Sequence, residues 1–246
     1  ALAAFYQKVP VGHVEAGLRS GDYRNPFPEE MNRRLADSLS NLYFAPTGRS
    51  KENLIREGFP EDAISITGNT VVDALLRIEQ SLESGKVAPD YPVDLEKFAE
   101  DKKRMVLVTA HRRESLDGGI ESISRGLKLL VDEFPDLEIV FPVHLNPKVQ
   151  KSVREVLDGE ARVHLVEPVD YLVFVGLMRQ ADLIITDSGG IQEEAPTLGV
   201  PVLVAREKTE RPEAVEAGTA KLVGTDTKTI FTEAKRLLED GEAYEN

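Results

Sequence analysis

Short apolar runs rich in β-branched residues alternate with amphipathic segments along the whole chain, and this rhythm restricts the fold more than any other feature. The runs cover 11–15, 41–45, 64–67, 105–110, 137–142, 162–166, 182–186, 200–204 and 221–224. Several, such as DLIIT at 182–186, are apolar on both faces, which a strand tolerates only when it is covered on both sides. Between the runs, segments 28–40, 48–58, 119–134, 146–157 and 227–240 carry helical periodicity. In 119–134, Ile120, Ile123, Leu127, Leu130 and Val131 form one stripe. Pro28 suits the first turn of its helix. Strand–helix alternation of this kind predicts an α/β fold with parallel sheets. Residues 84–95, with two prolines and a glycine and no periodicity, separate a first part with three strands from a second with six.

The chemistry open to the chain is narrowed by what it contains. With 246 residues it holds one large or two ordinary domains. It has no cysteine, which removes disulfides, thiolate metal sites and cysteine nucleophiles and suits a reducing, cytoplasmic setting. No apolar run approaches the roughly 20 residues needed to cross a bilayer, so no membrane partner is expected. The net charge of −13 argues against nucleic acid, whose backbone calls for a basic footprint. A small anion remains possible, since a helix N-terminus and a few cations suffice. The opening segment 1–17 reads as the second half of a helix running into a strand, with no N-cap signal before Ala1, as in an internal piece of a longer protein.

Five stretches carry candidate chemistry. In TDSGGIQEEAP a strand meets a turn and a helix, so Ser188, Gly189 and Gly190 offer backbone amides and a hydroxyl to a diphosphate. Glu194, one turn further in, is placed to accept from ribose hydroxyls. A glycine turn before a capped helix explains the same pattern without a ligand. In TAHRRES, His111, Arg112 and Arg113 close a buried strand, at the end where α/β sheets bind ligands. A solvated basic turn is the alternative. Glu15 follows a strand and precedes Gly17, a position for an acid or base. Glu29 and Glu30 lie in the first turn of a helix, where acids stabilise the dipole in any case. Arg33 stands one turn from Glu29 and is a substrate-binding candidate, or simply its ion-pair partner. Arg211, before a proline, either forks onto a phosphate or caps a turn.

Taken together and in this order, HVEAGLR, PEEMNR, TGNTVVDAL, HRRES, PVHLNP, TDSGGIQEEAP and TERPEAV resemble the non-hydrolysing UDP-N-acetylglucosamine 2-epimerases of bacteria and archaea. The resemblance covers essentially the whole chain. It implies two Rossmann-like lobes of the glycosyltransferase-B type with the active site in their cleft: a partial first lobe at 1–68 and a UDP-binding lobe at 69–246. It implies interconversion of UDP-N-acetylglucosamine and UDP-N-acetylmannosamine, by loss of UDP from C1 with removal of the C2 proton, then re-addition. It implies no metal or other cofactor, and a homodimer. By position it makes Glu15, Glu29 and His111 catalytic. Glu15, Arg33, His111, Ser188, Gly189, Gly190, Glu194 and Arg211 become substrate contacts, and Phe174 lines the uracil pocket.

The resemblance also has gaps. A third catalytic carboxylate, an Asp of a Gly-Asp loop, would lie ahead of Ala1. So would the first glycine-rich turn, and a closing C-terminal helix is missing. Val169 stands where a glutamine is common. Rival functions are a UDP-sugar glycosyltransferase of the same fold, a hydrolysing epimerase, and a module that only binds UDP. Activation by substrate at a second site would involve Arg112 and His144.

Overall fold

The computed structural model describes residues 1–112, 115–116 and 118–239. By contacts the chain divides into two compact units, Ala1–Asp73 with Lys208–Arg211, and Ala74–Glu207 with Pro212–Asn246. In the first unit the elements are α1 (Leu2–Tyr6), β1 (Gly12–Val14), α2 (Glu29–Ser38), β2 (Leu42–Ala45), α3 (Gly48–Arg56) and β3 (Ile64–Ile66). Helix α4 (Thr70–Glu83) leads into the second unit. There follow α5 (Leu95–Glu100), β4 (Arg104–Thr109), α6 (Gly119–Glu133), β5 (Leu137–Pro142), α7 (Pro147–Leu157) and β6 (Val163–Val166). The last elements are α8 (Tyr171–Gln180), β7 (Leu183–Thr186), α9 (Ile191–Thr197), β8 (Val202–Val204), α10 (Pro212–Glu216), β9 (Ala220–Leu222) and α11 (Thr227–Glu239).

The second unit is a six-stranded, wholly parallel sheet in the order β6-β5-β4-β7-β8-β9. Chain direction across the sheet reverses between β4 and β7, the switch point at which such sheets bind ligands beyond their strand ends. Alternate residues of each strand feed two separate apolar layers. Val106, Val108, Leu183, Ile185 and Leu203 pack on the side of α6, α7 and α11, together with the α6 stripe Ile120, Ile123, Leu127, Leu130 and Val131. Met105, Leu107, Ile184, Val202 and Val204 pack on the other side, with Leu75 of α4 and Val175, Leu177 and Met178 of α8. Double-sided burial is why these strands read as continuous apolar runs.

The first unit is smaller. Its parallel sheet runs β1-β2-β3. Tyr43, Ala45 and Ile64 turn one face toward Leu54 of α3, with Phe59 tilted against Tyr43 at 4.9 Å between ring centres. Val14 and Leu42 point the opposite way and are exposed. The expected apolar strand at 11–15 is thus three residues long and only partly covered.

All nine expected strands are present, and so are the five helices expected from periodicity. Pro28 caps α2 and is not its first helical residue. Of the helices, α4, α5, α8 and α10 were not expected from the sequence. Helix α4 opens on Thr70, Val71 and Val72, whose β-branching disfavours helix locally, and burial of Leu75 overrides it. Helix α8 is apolar nearly all round because it is packed deep on the sheet, and its start is set by the Asp170 carboxylate accepting from Val173 N at 2.9 Å. Helix α5 is too short to show a period. Among the described residues no helix is long and apolar enough to cross a membrane.

One glycine in the first unit is required by both its backbone and its surroundings. Gly17 has φ +82°, and a Cβ there would meet the Ser50 carbonyl oxygen at 2.2 Å. Since that neighbour is backbone, Gly17→Ala should destabilise the first unit by ~2 kcal/mol or more, read as a lower denaturation midpoint.

Candidate functional site

In the second unit the site is assembled at the switch point by one buried carboxylate. Asp187 follows β7 and has no exposed surface. Its backbone is fixed by Asp187 N donating to Thr109 O at 3.1 Å, which carries the β4–β7 ladder one step past the strands. Its Oδ2 accepts from the backbone amides of His111 at 2.8 Å and Arg112 at 2.7 Å. The His111 Nδ1 lies 3.2 Å from Oδ1. The turn after β4 is therefore strapped to the turn after β7. Beside it, the Thr109 and Thr186 hydroxyls share a 2.6 Å hydrogen bond, and Thr186 Oγ1 accepts from Ser188 N at 2.9 Å. The His111 ring is partly exposed and stacks on His144, with ring centres 5.6 Å apart and planes 15° from parallel.

The chain then enters α9 through Ser188, Gly189 and Gly190. Gly190 is right-handed at φ −63°, so its missing side chain serves close approach and not turn formation. A Cβ there would stand 3.2 Å from Glu194 Oε2. Glu194 is buried, and its Oε1 accepts from the Tyr171 hydroxyl at 2.5 Å. Burial first, then the hydrogen bond to Glu194 and its charge, push the Tyr171 phenol well above the usual range, so the phenol stays a donor. Phe174, one turn along α8 from Tyr171, is half-buried against the neighbouring apolar layer. Gln192 donates to Ser188 O at 3.1 Å and ties the first turn of α9 to the glycine turn.

The carboxylates belong to the first unit. Glu15 follows β1 with φ +63°, a left-handed conformation uncommon outside glycine. Its Oε1 accepts from Asn69 Nδ2 at 2.7 Å and from Arg211 Nη2 at 3.3 Å. Arg211 Nη1 also donates to Glu210 at 2.9 Å, and Glu210 accepts from Arg33 Nη2 at 3.3 Å. Glu210 is buried and links the two arginines. Arg33 thus pairs with Glu210, and at 4.0 Å with Glu30, instead of with Glu29 as helical spacing suggested. The reason is that Glu210 is brought in by a chain segment 177 residues away, which no local spacing reveals. Glu29 Oε2 and Arg33 Nη1 are buried without a hydrogen-bond partner among the described residues. A carboxylate oxygen and a guanidinium N–H left in this way on one turn of α2 are groups that a ligand would satisfy.

The structure thus gathers the candidates in two sets. His111, Ser188, Gly189, Gly190, Glu194 and Phe174 lie in the second unit. Glu15, Glu29 and Arg33 lie in the first, joined by Arg211, whose segment 208–211 packs there. Arg113 lies outside the described residues. Asp187, Tyr171, Asn69 and Glu210 were not singled out from sequence. Asp187 and Glu210 stand directly beside the candidates Ser188 and Arg211, and Asn69 lies in the TGNTVVDAL motif, which held no candidate. Tyr171 had no such signal.

The whole chain, residues 1–246, matches the family described as UDP-N-acetylglucosamine 2-epimerase. A probable UDP-N-acetylglucosamine 2-epimerase of Ralstonia solanacearum is 54% identical over 244 residues, 99% of this chain and 65% of the relative. The UDP-N-acetylglucosamine 2-epimerase of Escherichia coli strain K12 is 52% identical over 249 residues, again 99% of this chain and 65% of the relative. Among solved structures, the UDP-GlcNAc 2-epimerase of Neisseria meningitidis bound to UDP-GlcNAc superposes with a TM-score of 0.91 at 48% identity, covering 99% of this chain and 66% of that one. The S. aureus MnaA–UDP co-structure gives a TM-score of 0.90 at 44% identity, covering 99% and 63%. The chain therefore spans a little under two thirds of the length of the curated relatives it matches. With its whole length matched by the family and half or more of its residues identical to these two curated relatives, the chain belongs to the UDP-N-acetylglucosamine 2-epimerase family.

Proposed function

We propose that the whole protein interconverts UDP-N-acetylglucosamine and UDP-N-acetylmannosamine. The observation that carries this, beside family membership, is the Asp187 strap. It sets an imidazole beside a serine–glycine–glycine turn at the switch point of a parallel sheet. Amides at the start of α9 and the His111 ring take the diphosphate, Glu194 takes the ribose hydroxyls, and Phe174 takes the uracil face. Tyr171 holds Glu194 in one rotamer. In the first unit Glu15 and Glu29 exchange the C2 proton, and Arg33 orients the sugar. Arg211 is the phosphate contact in this reading.

The chemistry follows from the weakness of the carbon acid. A carboxylate removes the C2 proton, the C–H electron pair becomes the C1–C2 double bond, and the C1–O bond breaks with departure of UDP. A proton then adds to C2 from the opposite face and a UDP oxygen re-forms the bond to C1, so atoms balance with no oxidant. Donors preorganised around the departing diphosphate are the group most able to lower that barrier. A cytoplasmic location belongs to the same proposal, and a chain without cysteine suits such a reducing compartment.

In deuterated water the product should carry deuterium at C2, read by mass spectrometry; unlabelled product would rule out proton exchange with solvent. Release of free N-acetylmannosamine would point instead to hydrolysing chemistry, and dependence on a sugar acceptor to a transferase. Glu15→Gln should lower kcat about 10²–10⁴-fold while calorimetric affinity for UDP stays within about twofold. Tyr171→Phe should weaken UDP binding roughly fivefold, the scale of one hydrogen bond in the 0.5–1.5 kcal/mol range; unchanged affinity would count against Glu194 as a ribose ligand.

A further inference from the structure

The turn that carries Glu15 is held from inside the first unit by a residue without an assigned role. Asp37, in the last turn of α2, has no exposed surface. Its Oδ1 lies 2.5 Å from Nδ1 of His13, two residues before Glu15. Its Oδ2 accepts from Arg19 Nη2 at 2.6 Å, four residues after Glu15. One buried carboxylate therefore grips both flanks of the turn. Arg19 is itself held by further bonds. Its Nε and Nη2 fork onto Glu57 at 2.8 and 2.7 Å, and its Nη1 donates to Leu18 O at 2.9 Å. Burial works against the Arg19 cation, but the hydrogen bonds to Glu57 and Asp37 outweigh it and raise its pKa.

The same helix face makes a second attachment. Glu30, Arg34 and Asp37 succeed one another at spacings of four and three residues and share one side of α2. Glu30 Oε2 accepts from Ser20 N at 3.0 Å, and Arg34 reaches Glu57 at 2.8 Å. Glu29 and Arg33 occupy the next stripe of the helix. The Glu15 turn and the Glu29 side chain are thus referred to one rigid element.

Two physical facts make this more than packing. Glu15 sits at φ +63°, a conformation that is strained for a residue other than glycine and persists only where the surroundings over-determine it. A buried ion pair is also a poor source of stability, because desolvation offsets the Coulomb gain. What the pairs do provide is geometry.

Resting on the epimerase assignment above, we propose that Asp37 is a positioning residue that fixes the Glu15 carboxylate relative to Glu29 for transfer of the C2 proton. It touches no substrate; it acts through His13 and Arg19. The test is Asp37→Asn in the whole protein, near in size but unable to accept from both flanks in the same way. The rate of epimerisation, the kinetic isotope effect with substrate deuterated at C2, and the affinity for UDP would be measured together. The expected result is a fall in kcat of about 10²-fold, the scale for a misplaced reacting group. UDP affinity should stay within about twofold, and the isotope effect should rise as proton transfer becomes more fully rate-limiting. An unchanged kcat and isotope effect, or losses of rate and UDP affinity in equal measure, would overturn the proposal. If Asp37→Asn does not fold, Arg19→Lys keeps a cation beside Asp37 but cannot fork onto Glu57; it should raise the isotope effect in the same direction, and no rise overturns the idea. A wild-type protein that exchanges no C2 hydrogen with solvent would sink the epimerase assignment itself, whereas active wild type with a silent variant sinks only the role of Asp37.

Discussion

The second unit depends on the parallel pairing of β4 with β7. Val106 to Thr109 run in register with Leu183 to Thr186, and the ladder ends on Asp187. At that step the sheet stops supplying backbone acceptors to the β4 turn, and a buried carboxylate takes over, accepting the amides of residues 111 and 112. A buried carboxylate with two backbone donors meets much of its desolvation cost locally. It also converts the two loops at the switch point into one rigid edge. His111, Ser188 and the α9 turn inherit their positions from this single contact.

The first unit solves a different problem with the same kind of group. Its sheet is small, and much of its specificity is electrostatic. Glu30, Asp37 and Glu210 have no exposed side-chain surface, and each meets a guanidinium or backbone amide. These three carboxylates orient arginines and turns from inside, while the net charge of −13 comes mostly from the solvated exterior.

How much of this was legible in the chain follows from the range of each interaction. The nine strands were legible because parallel, doubly covered strands write themselves as local apolar runs, as in 182–186. The α6 stripe was legible because Ile120, Ile123, Leu127, Leu130 and Val131 repeat at helical spacing. Helix α8 was not, since Leu172, Val173, Phe174, Val175 and Leu177 show no polar face once both sides are buried. The motif residues His111, Ser188, Gly189, Gly190, Glu15 and Glu29 could be named from sequence because each sits at a punctuated strand or helix end. Their partners could not. Arg33 looked bound for Glu29 at one helical turn and instead meets Glu210 from the far side of the chain.

The sequence by itself determined the class of fold, the order of its strands and helices along the chain, and the family, because these are written in periodicity and in short contiguous motifs. Tertiary structure alone decided that Asp187 joins two turns 76 residues apart, that Tyr171 steadies Glu194, and that His13 and Arg19 share Asp37. Those pairings are set by where parallel strands and packed helices bring chain segments together, and a carboxylate carries no local mark of the distant donor it will meet.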